Sequence, residues 1–137
     1  MKYSLKVEYA CRVLSHMGSA YGSARLFQIN ELAAAEQVPS KYLSQILNTL
    51  RSKNVIKSKR GKLGGYHMHR APDTITLYEV VKAIDPAMVR SVRPTAGQSG
   101  AAVCAVWQEI SDAFDAQLKS HTVSALLTKG LTPNWEI

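Results

Sequence analysis

The chain contains 137 residues, 46% of them hydrophobic, which allows one hydrophobic core and little more. It has no apolar run near the ~20 residues that span a membrane, no signal-peptide pattern, and only two cysteines, too few for a secreted disulfide framework. The composition and the formal net charge of +7 therefore predict a soluble, cytoplasmic protein with an anionic partner.

The first predicted element is a helix from about Leu5 to Met17. Its small and apolar residues recur on one stripe: Val7, Ala10, Cys11, Leu14 and Met17. Because Cys11 lies on this stripe, we expect it to be a small core residue rather than a reactive thiol.

Two short helices follow, separated by a break at Gln37–Pro39. The first lies within Gln28–Glu36, with Asn30 as its N-cap. The second runs from Ser40 to roughly Lys53 and begins beside a proline, which a first helical turn tolerates. Its apolar face is formed by Leu43, Ile46, Leu47 and Leu50.

The opposite face of this second helix can hydrogen-bond base edges and phosphates in a DNA major groove. It carries Lys41, Tyr42, Ser44, Gln45, Asn48 and Thr49. Taken alone, the two helices fit a recognition unit and an ordinary helical hairpin with a solvated face equally well.

A β-hairpin is predicted next, and it favours DNA binding. Val55–Arg60 and Tyr66–Arg70 have the composition of strands, and Gly61–Gly65 forms a tight turn between them. A hairpin with Gly-Gly at its tip after a recognition helix is the form of a winged helix-turn-helix. Arg60 and Lys62 flank the tip, where they can neutralise phosphates or enter a narrow minor groove.

The two glycines of this turn, Gly64 and Gly65, have a predicted role of their own. Glycine has no Cβ to block its amide, so the backbone can approach a sugar–phosphate wall closely. The hairpin and the second helix together predict a protein that binds double-stranded DNA.

The excess positive charge is confined to this part of the sequence. Between Gln37 and Thr74 there are eight basic residues and one acid, a net charge of +7, whereas the rest of the chain carries nine basic and nine acidic groups. Such confinement indicates a site for a polyanion, most often nucleic acid. It disfavours the alternative of a winged-helix protein-interaction module without DNA affinity. The basic residues are Lys41, Arg51, Lys53, Lys57, Lys59, Arg60, Lys62 and Arg70.

The remainder of the chain predicts a helix, a loop and a long helix. Thr76 is the expected N-cap of a helix through Ala83, with Glu79 completing a capping box. Residues 86–100 contain two prolines and two glycines and no helical period, which predicts a mobile loop. An amphipathic helix then runs to about Leu127, with a stripe of Val103, Trp107, Ile110, Phe114, Leu118, His121 and Ala125.

A long stripe appended to a compact domain more often packs against a second copy, so a homodimer is predicted. The predicted fold is mainly α with a small β-hairpin. Its parts are a winged helix-turn-helix domain at 1–85, a sensor-type loop at 86–102, and a dimerisation helix and tail at 103–137. No nucleophile motif such as G-x-S-x-G is present, so no enzymatic activity is predicted.

Several segments in order resemble the Rrf-type bacterial transcription regulators, which include iron–sulfur, nitric-oxide and cysteine-metabolism repressors. The resemblance runs from Met1 to about Asp85 and resumes weakly at Cys104–Trp107. It rests on Lys2–Ala10, Pro39–Leu47, Leu50–Arg51, Lys57–Tyr66 and Ile75–Val81. It implies a dimeric repressor with two winged helices on a pseudo-palindromic operator. The residues that stand where this family contacts DNA are Lys41, Tyr42, Gln45, Arg51, Arg60, Gly64, Gly65 and Tyr66.

The resemblance also sets an expectation about a cofactor. Cluster-binding members hold a two-iron two-sulfur cluster with three closely spaced cysteines in the loop before the long helix. This chain has one cysteine there, Cys104, so no cofactor is predicted. The alternative is a metal- or redox-dependent sensor, because a helix N-terminus at Cys104 favours the thiolate. Its effector is not defined by the sequence.

Three further groups bear on that alternative. Some relatives recruit an acidic side chain from the first helix of the partner subunit, and Glu8 stands at such a position, although Arg12 can pair with it one turn away. His67 and His69 lie on one face of a strand and could bind a metal. Two loop arginines, Arg90 and Arg93, could meet an anionic effector or be solvated.

Overall fold

A computed structural model describes residues 4–90 and 93–130. These residues form six helices and one antiparallel hairpin: α1 (Leu5–Gly18), α2 (Ile29–Glu36), α3 (Ser40–Ser52), β1 (Ile56–Lys59), β2 (Gly65–Met68), α4 (Leu77–Ile84), α5 (Gly100–Ser120) and α6 (Val123–Gly130). Single 3-10 turns lie at Pro72–Thr74 and Pro86–Met88. The predicted mainly α fold with a small hairpin is confirmed. No helix in the described ranges is long and apolar enough to cross a membrane.

The core is built where α1, α3 and α4 meet, and it also buries Phe27 and Val123 completely. The four apolar residues predicted for α3 are all buried, which confirms its periodicity. In α1, Val13 joins Ala10, Leu14 and Met17 in the core, and Cys11 packs against that core as predicted. Regular 3.6-residue spacing therefore located both helices correctly.

The N-cap predicted for α2 is wrong, because the helix begins at Ile29 and its cap is Gln28 rather than Asn30. The Glu31 carboxylate accepts the Gln28 backbone N–H at 3.2 Å. The preceding residue, Phe27, is fixed by two backbone hydrogen bonds of 2.8 Å with Tyr66. A contact with the distant hairpin thus sets where the helix can begin.

Of the two hydrogen bonds in the capping box predicted for α4, only the one accepted by Thr76 is present. The Thr76 hydroxyl accepts the Glu79 backbone N–H at 3.1 Å. The Glu79 carboxylate does not complete the box, because both of its oxygens accept hydrogen bonds from the Arg70 guanidinium. Arg70 is one of the eight basic residues of the charged stretch, so its charge is neutralised inside the chain.

The long helix predicted to run to about Leu127 is interrupted, and that prediction is wrong. α5 ends at Ser120, and the next backbone is held by α4: Leu77 N–H donates to His121 O at 2.9 Å. Val123 N–H likewise donates to Ile75 O at 2.9 Å. α6 then returns to pack against α1, while the predicted division into three parts stays a prediction.

Candidate nucleic-acid interface

The outer face of α3 is presented to solvent because its inner face is locked in the core. Leu43, Ile46, Leu47 and Leu50 are at most 4% exposed. Lys41, Tyr42 and Gln45, the predicted DNA contacts on this helix, are all exposed. The Thr49 hydroxyl donates to the Gln45 backbone carbonyl at 3.0 Å, one turn back along the helix.

Arg51 joins this helix to the hairpin. Its guanidinium donates to Ser58 Oγ on β1 at 3.3 Å and to Asn48 Oδ1 at 3.1 Å. The end of α3 therefore adjoins the outer side of β1, and the two elements share one surface. Sequence reasoning placed Arg51 at this surface as a DNA contact but did not foresee its contact with the hairpin.

The hairpin tip precedes the two glycines that were predicted to form it. β1 and β2 pair from Ile56 opposite Met68 to Lys59 opposite Gly65, so Gly65 is already in the strand. The tip is formed by Gly61, Lys62 and Leu63, and all three are exposed. The placement of Gly-Gly at the tip is therefore wrong. Lys62 stands at the tip itself, and Arg60 is exposed immediately before it.

The two glycines are needed by contacts inside the chain. A Cβ on Gly64 would lie 2.0 Å from Lys59 O, and one on Gly65 would lie 2.7 Å from Phe27 O. Gly65 also has φ +152°, a conformation that L side chains rarely adopt. Gly64 is buried, and its N–H donates to Gly61 O at 3.0 Å. Their predicted contact with DNA rests on the resemblance alone.

Two residues near the hairpin escaped sequence reasoning. The side-chain amide of Gln28 donates to Gly64 O and so ties the turn to the start of α2. Leu63 is 91% exposed at the tip. Its position inside a glycine turn was the available signal, because a large apolar residue has no core to join there. Tyr66 is half-buried, and its backbone is occupied by Phe27.

Cationic charge remains unpaired across this surface. Ion pairs in residues 4–90 and 93–130 join Arg12 to Glu8, His16 to Glu36, Arg25 to Glu31 and Arg70 to Glu79. Within those ranges, seven of the eight basic residues of the charged stretch have no carboxylate partner, and all seven are exposed. The α3 face and the hairpin, defined here as the basic surface, carry Lys41, Arg51, Lys53, Lys57, Lys59, Arg60 and Lys62.

One family model covers most of the described chain. The model of Rrf2, described as an iron-dependent transcriptional regulator, matches residues 3–129. The chain belongs to the Rrf2 family. As a member it is a helix-turn-helix transcription regulator. The basic surface lies on the second helix of the helix-turn-helix, α3, and on the hairpin.

Relatives agree with this assignment. An HTH-type transcriptional regulator of Mycobacterium tuberculosis is 31% identical over 90% of this chain and 80% of its own. CymR of Bacillus subtilis is 26% identical over 92% of this chain and 89% of its own. The solved structure of CymR, the global cysteine regulator, superposes with a TM-score of 0.81 at 24% identity, covering 94% and 98%.

A second solved structure shows the same fold. IscR of T. potens matches with a TM-score of 0.77 at 22% identity and covers 95% of this chain and 88% of its own. At that identity the likeness speaks for the fold alone. The predicted winged helix-turn-helix with a long C-terminal helix is therefore confirmed as architecture.

The described residues of one chain do not bring three cysteines together for an iron–sulfur cluster. Its only two cysteines lie on different helices, Cys11 in α1 and Cys104 in α5. Within the ranges that the structure covers, no three His, Cys, Asp or Glu side chains are grouped so that they could hold a metal ion. The predicted pairing of Glu8 is confirmed: its carboxylate lies 2.7 Å from Arg12 Nε.

The two thiols differ in setting. Burial, and then the charge of Glu8, raise the pKa of Cys11 to about 11, so this residue is a neutral thiol near pH 7. Cys104 is half-buried in the second turn of α5, because that helix begins at Gly100. The predicted location of Cys104 at the helix start is therefore wrong. A redox role for Cys104 stays a prediction, but it is no longer supported by the effect of a helix N-terminus on the thiolate.

Proposed function

We propose that this Rrf2-family protein is a dimeric transcription regulator that binds a pseudo-palindromic operator with two copies of the basic surface. The observation that carries the proposal is the set of seven exposed, unpaired cations on α3 and the hairpin, which Arg51 joins into one surface. Lysines and arginines that neutralise phosphates supply most of the sequence-independent affinity for DNA. Charge confined in this way favours a polyanion such as DNA over a neutral protein surface.

The two parts of the surface have different roles. α3 enters the major groove with Gln45 toward the base edges, while Lys41 and Tyr42 near its N-terminus contact the backbone. The hairpin lies over the DNA backbone beside that groove, where Arg60 and Lys62 contact phosphates or enter a narrow minor groove. Arg51 links the two parts through its hydrogen bond to Ser58 Oγ.

The dimer is supported by the outer face of α5, a helix in which no residue is buried. Val103, Val106, Trp107 and Ile110 are 54%, 56%, 49% and 51% exposed. Large apolar side chains exposed together on one helix indicate a protein contact. A two-fold dimer through the part of this face that carries Val103 and Val106 presents two α3 helices, which matches an operator with two-fold symmetry.

Selection from a random duplex library tests the proposal directly. The wild-type protein is expected to enrich a motif with two related half-sites, and the double variant Arg60→Ala, Lys62→Ala is expected to enrich nothing above background. Tight binding to every duplex without an enriched motif would contradict a sequence-specific regulator. Absence of duplex binding at low salt would leave the interaction-module alternative.

Arg60→Ala is expected to weaken binding to all duplexes by a similar factor, because a phosphate contact carries no sequence information. The slope of log affinity against log salt should fall by about one unit for one lost contact. Anisotropy titrations at several salt concentrations measure the slope, with Lys82→Ala at an exposed position of α4 as a charge-matched control. An unchanged slope in Arg60→Ala would remove this residue from the interface.

Gln45→Ala is expected to reduce affinity for the selected operator more than affinity for random duplex. An amide that bonds adenine through two hydrogen bonds discriminates between bases by roughly 1–3 kcal/mol. Competition titrations with the operator and with a scrambled duplex give the two losses. Ser44→Ala, an exposed neighbour on the same helix, is the control. Equal losses on both duplexes would show that Gln45 only positions the helix.

A further inference from the structure

A cleft of about 910 Å³ lies between the start of α1, the end of α4 and one flank of α5. Its apolar lining includes Trp107, Ile110 and Phe114 from α5, together with Leu5 and Tyr9 from α1. Clefts of about 300–1,000 Å³ lined by aromatic and apolar side chains with a few polar groups are typical of small-molecule sites. This volume is at the upper end of that range.

The polar lining of the cleft is cationic. Lys6, Arg90 and Arg93 line it together with one acid, Asp85. In residues 4–90 and 93–130, none of the three cations has a carboxylate within ion-pair distance. The Arg93 guanidinium lies 5.8 Å from the centre of the Trp107 ring, so a cation and an aromatic face are already side by side.

The cleft reaches the DNA-binding helix through Tyr42. Tyr42 belongs to α3, and its ring centre lies 6.4 Å from that of Tyr9. Tyr42 and Lys6 also line a smaller adjoining cavity of about 80 Å³, whose wall includes Gln45. A molecule in the large cleft would therefore touch a residue of the basic surface and lie beside the side chain proposed to contact bases.

We propose that this cleft binds a small organic anion, a carboxylate or phosphate on an aromatic or aliphatic body, and that its occupancy changes DNA affinity through Tyr42. The guanidinium groups of Arg90 and Arg93 hold the anion through charge-assisted hydrogen bonds, since their planar fork matches carboxylate and phosphate oxygens. The body of the ligand packs on Trp107 and Phe114. The regulatory half of this inference rests on the proposed function.

A second copy of the chain fits this cleft less well than a small anion does. The apolar stripe of α5 divides into two parts: Trp107 and Ile110 line the cleft, whereas Val103 and Val106 do not. The latter pair is more than half exposed and supplies a face for the partner outside the cleft. Three cations over an apolar wall complement an amphiphilic anion.

Binding is tested by NMR titration of the full-length protein with three anions: 2-naphthoate, octanoate and phenyl phosphate. At least one is expected to shift the Trp107 indole and Tyr42 amide signals, and Arg93→Gln should weaken its binding at least tenfold. Lys53→Gln, which removes an equal charge at the end of α3, should bind as wild type does. The neutral 2-naphthalenemethanol and inorganic phosphate should each bind more weakly than the matched organic anion.

Three results would overturn the site. Binding of none of the anions would exclude it. Equal binding of 2-naphthoate and 2-naphthalenemethanol would show an apolar surface without anion recognition. The third result has two parts: Arg93→Gln dissociates the dimer in sedimentation, and none of the anions shifts the Trp107 signal of the wild-type protein. It would assign the cleft to the partner subunit.

Regulation is tested by measuring operator affinity with and without the saturating anion. We expect a change of several-fold in wild type that disappears in Arg93→Gln, whose affinity without the anion should equal that of wild type. An anion that binds without changing operator affinity would overturn the regulatory half alone. A protein that binds the anion but no duplex would contradict the proposed function while leaving the site intact.

Discussion

Gly64→Ala is expected to displace the hairpin tip and to weaken operator binding more than any other single substitution in the turn. A Cβ at this position would lie 2.0 Å from Lys59 O, a backbone atom of the residue that pairs with Gly65 at the end of the hairpin. Forcing atoms into such a site costs roughly 1–3 kcal/mol, equivalent to about one or two orders of magnitude in an equilibrium constant. Anisotropy titration gives the affinity, and a thermal melt gives the stability.

Gly61→Ala is the matched control because it inserts the same methyl group into the same turn. Apart from its two chain neighbours, no described residue has an atom within 4 Å of a Cβ at Gly61, but the φ of +113° at this position is strained for alanine. Its cost should therefore be conformational only, roughly 1–2 kcal/mol. If Gly61→Ala and Gly64→Ala lowered operator affinity equally, the steric role of Gly64 would be wrong.

Gly64 and Gly65 show which features of the hairpin could be predicted from the sequence and which could not. The Gly-Gly pair correctly indicated a turn that needs glycine, but sequence favoured an external cause, the approach of a sugar–phosphate backbone. In the structure Gly65 adjoins Phe27, which lies far away in sequence. A bridge between distant segments leaves no local pattern, so the contact could not be inferred.

In the helices too, features with a local cause could be predicted and features that depend on distant residues could not. The apolar face of α3 depends on spacing within the helix, and each of its four residues was predicted correctly. The end of α5 depends on His121 O accepting a hydrogen bond from Leu77. The apolar pattern continues past that residue to Ala125, so periodicity alone extended the helix too far. Of the site, the charge of the basic surface could be predicted, but the cleft could not, because its walls come from α1, α4 and α5.

Val106→Glu is expected to dissociate the proposed dimer and to reduce operator affinity at least a hundredfold. Val106 is 56% exposed on the outer face of α5 and lies outside the cleft. A dimer through this face would bury two introduced carboxylates without partners, and each uncompensated charge costs several kcal/mol. A monomer reaches one half-site only and loses the gain of linked binding to two half-sites.

Ala105→Glu is the control for this change, since it places the same charge on the adjacent exposed position of the helix, turned away from Val106. Sedimentation equilibrium should show a monomer for Val106→Glu and a dimer for Ala105→Glu, with operator affinity falling only in the first. A Val106→Glu protein that remains dimeric and binds its operator normally would show that the two copies meet elsewhere. The exposed apolar face of α5 would then need another partner.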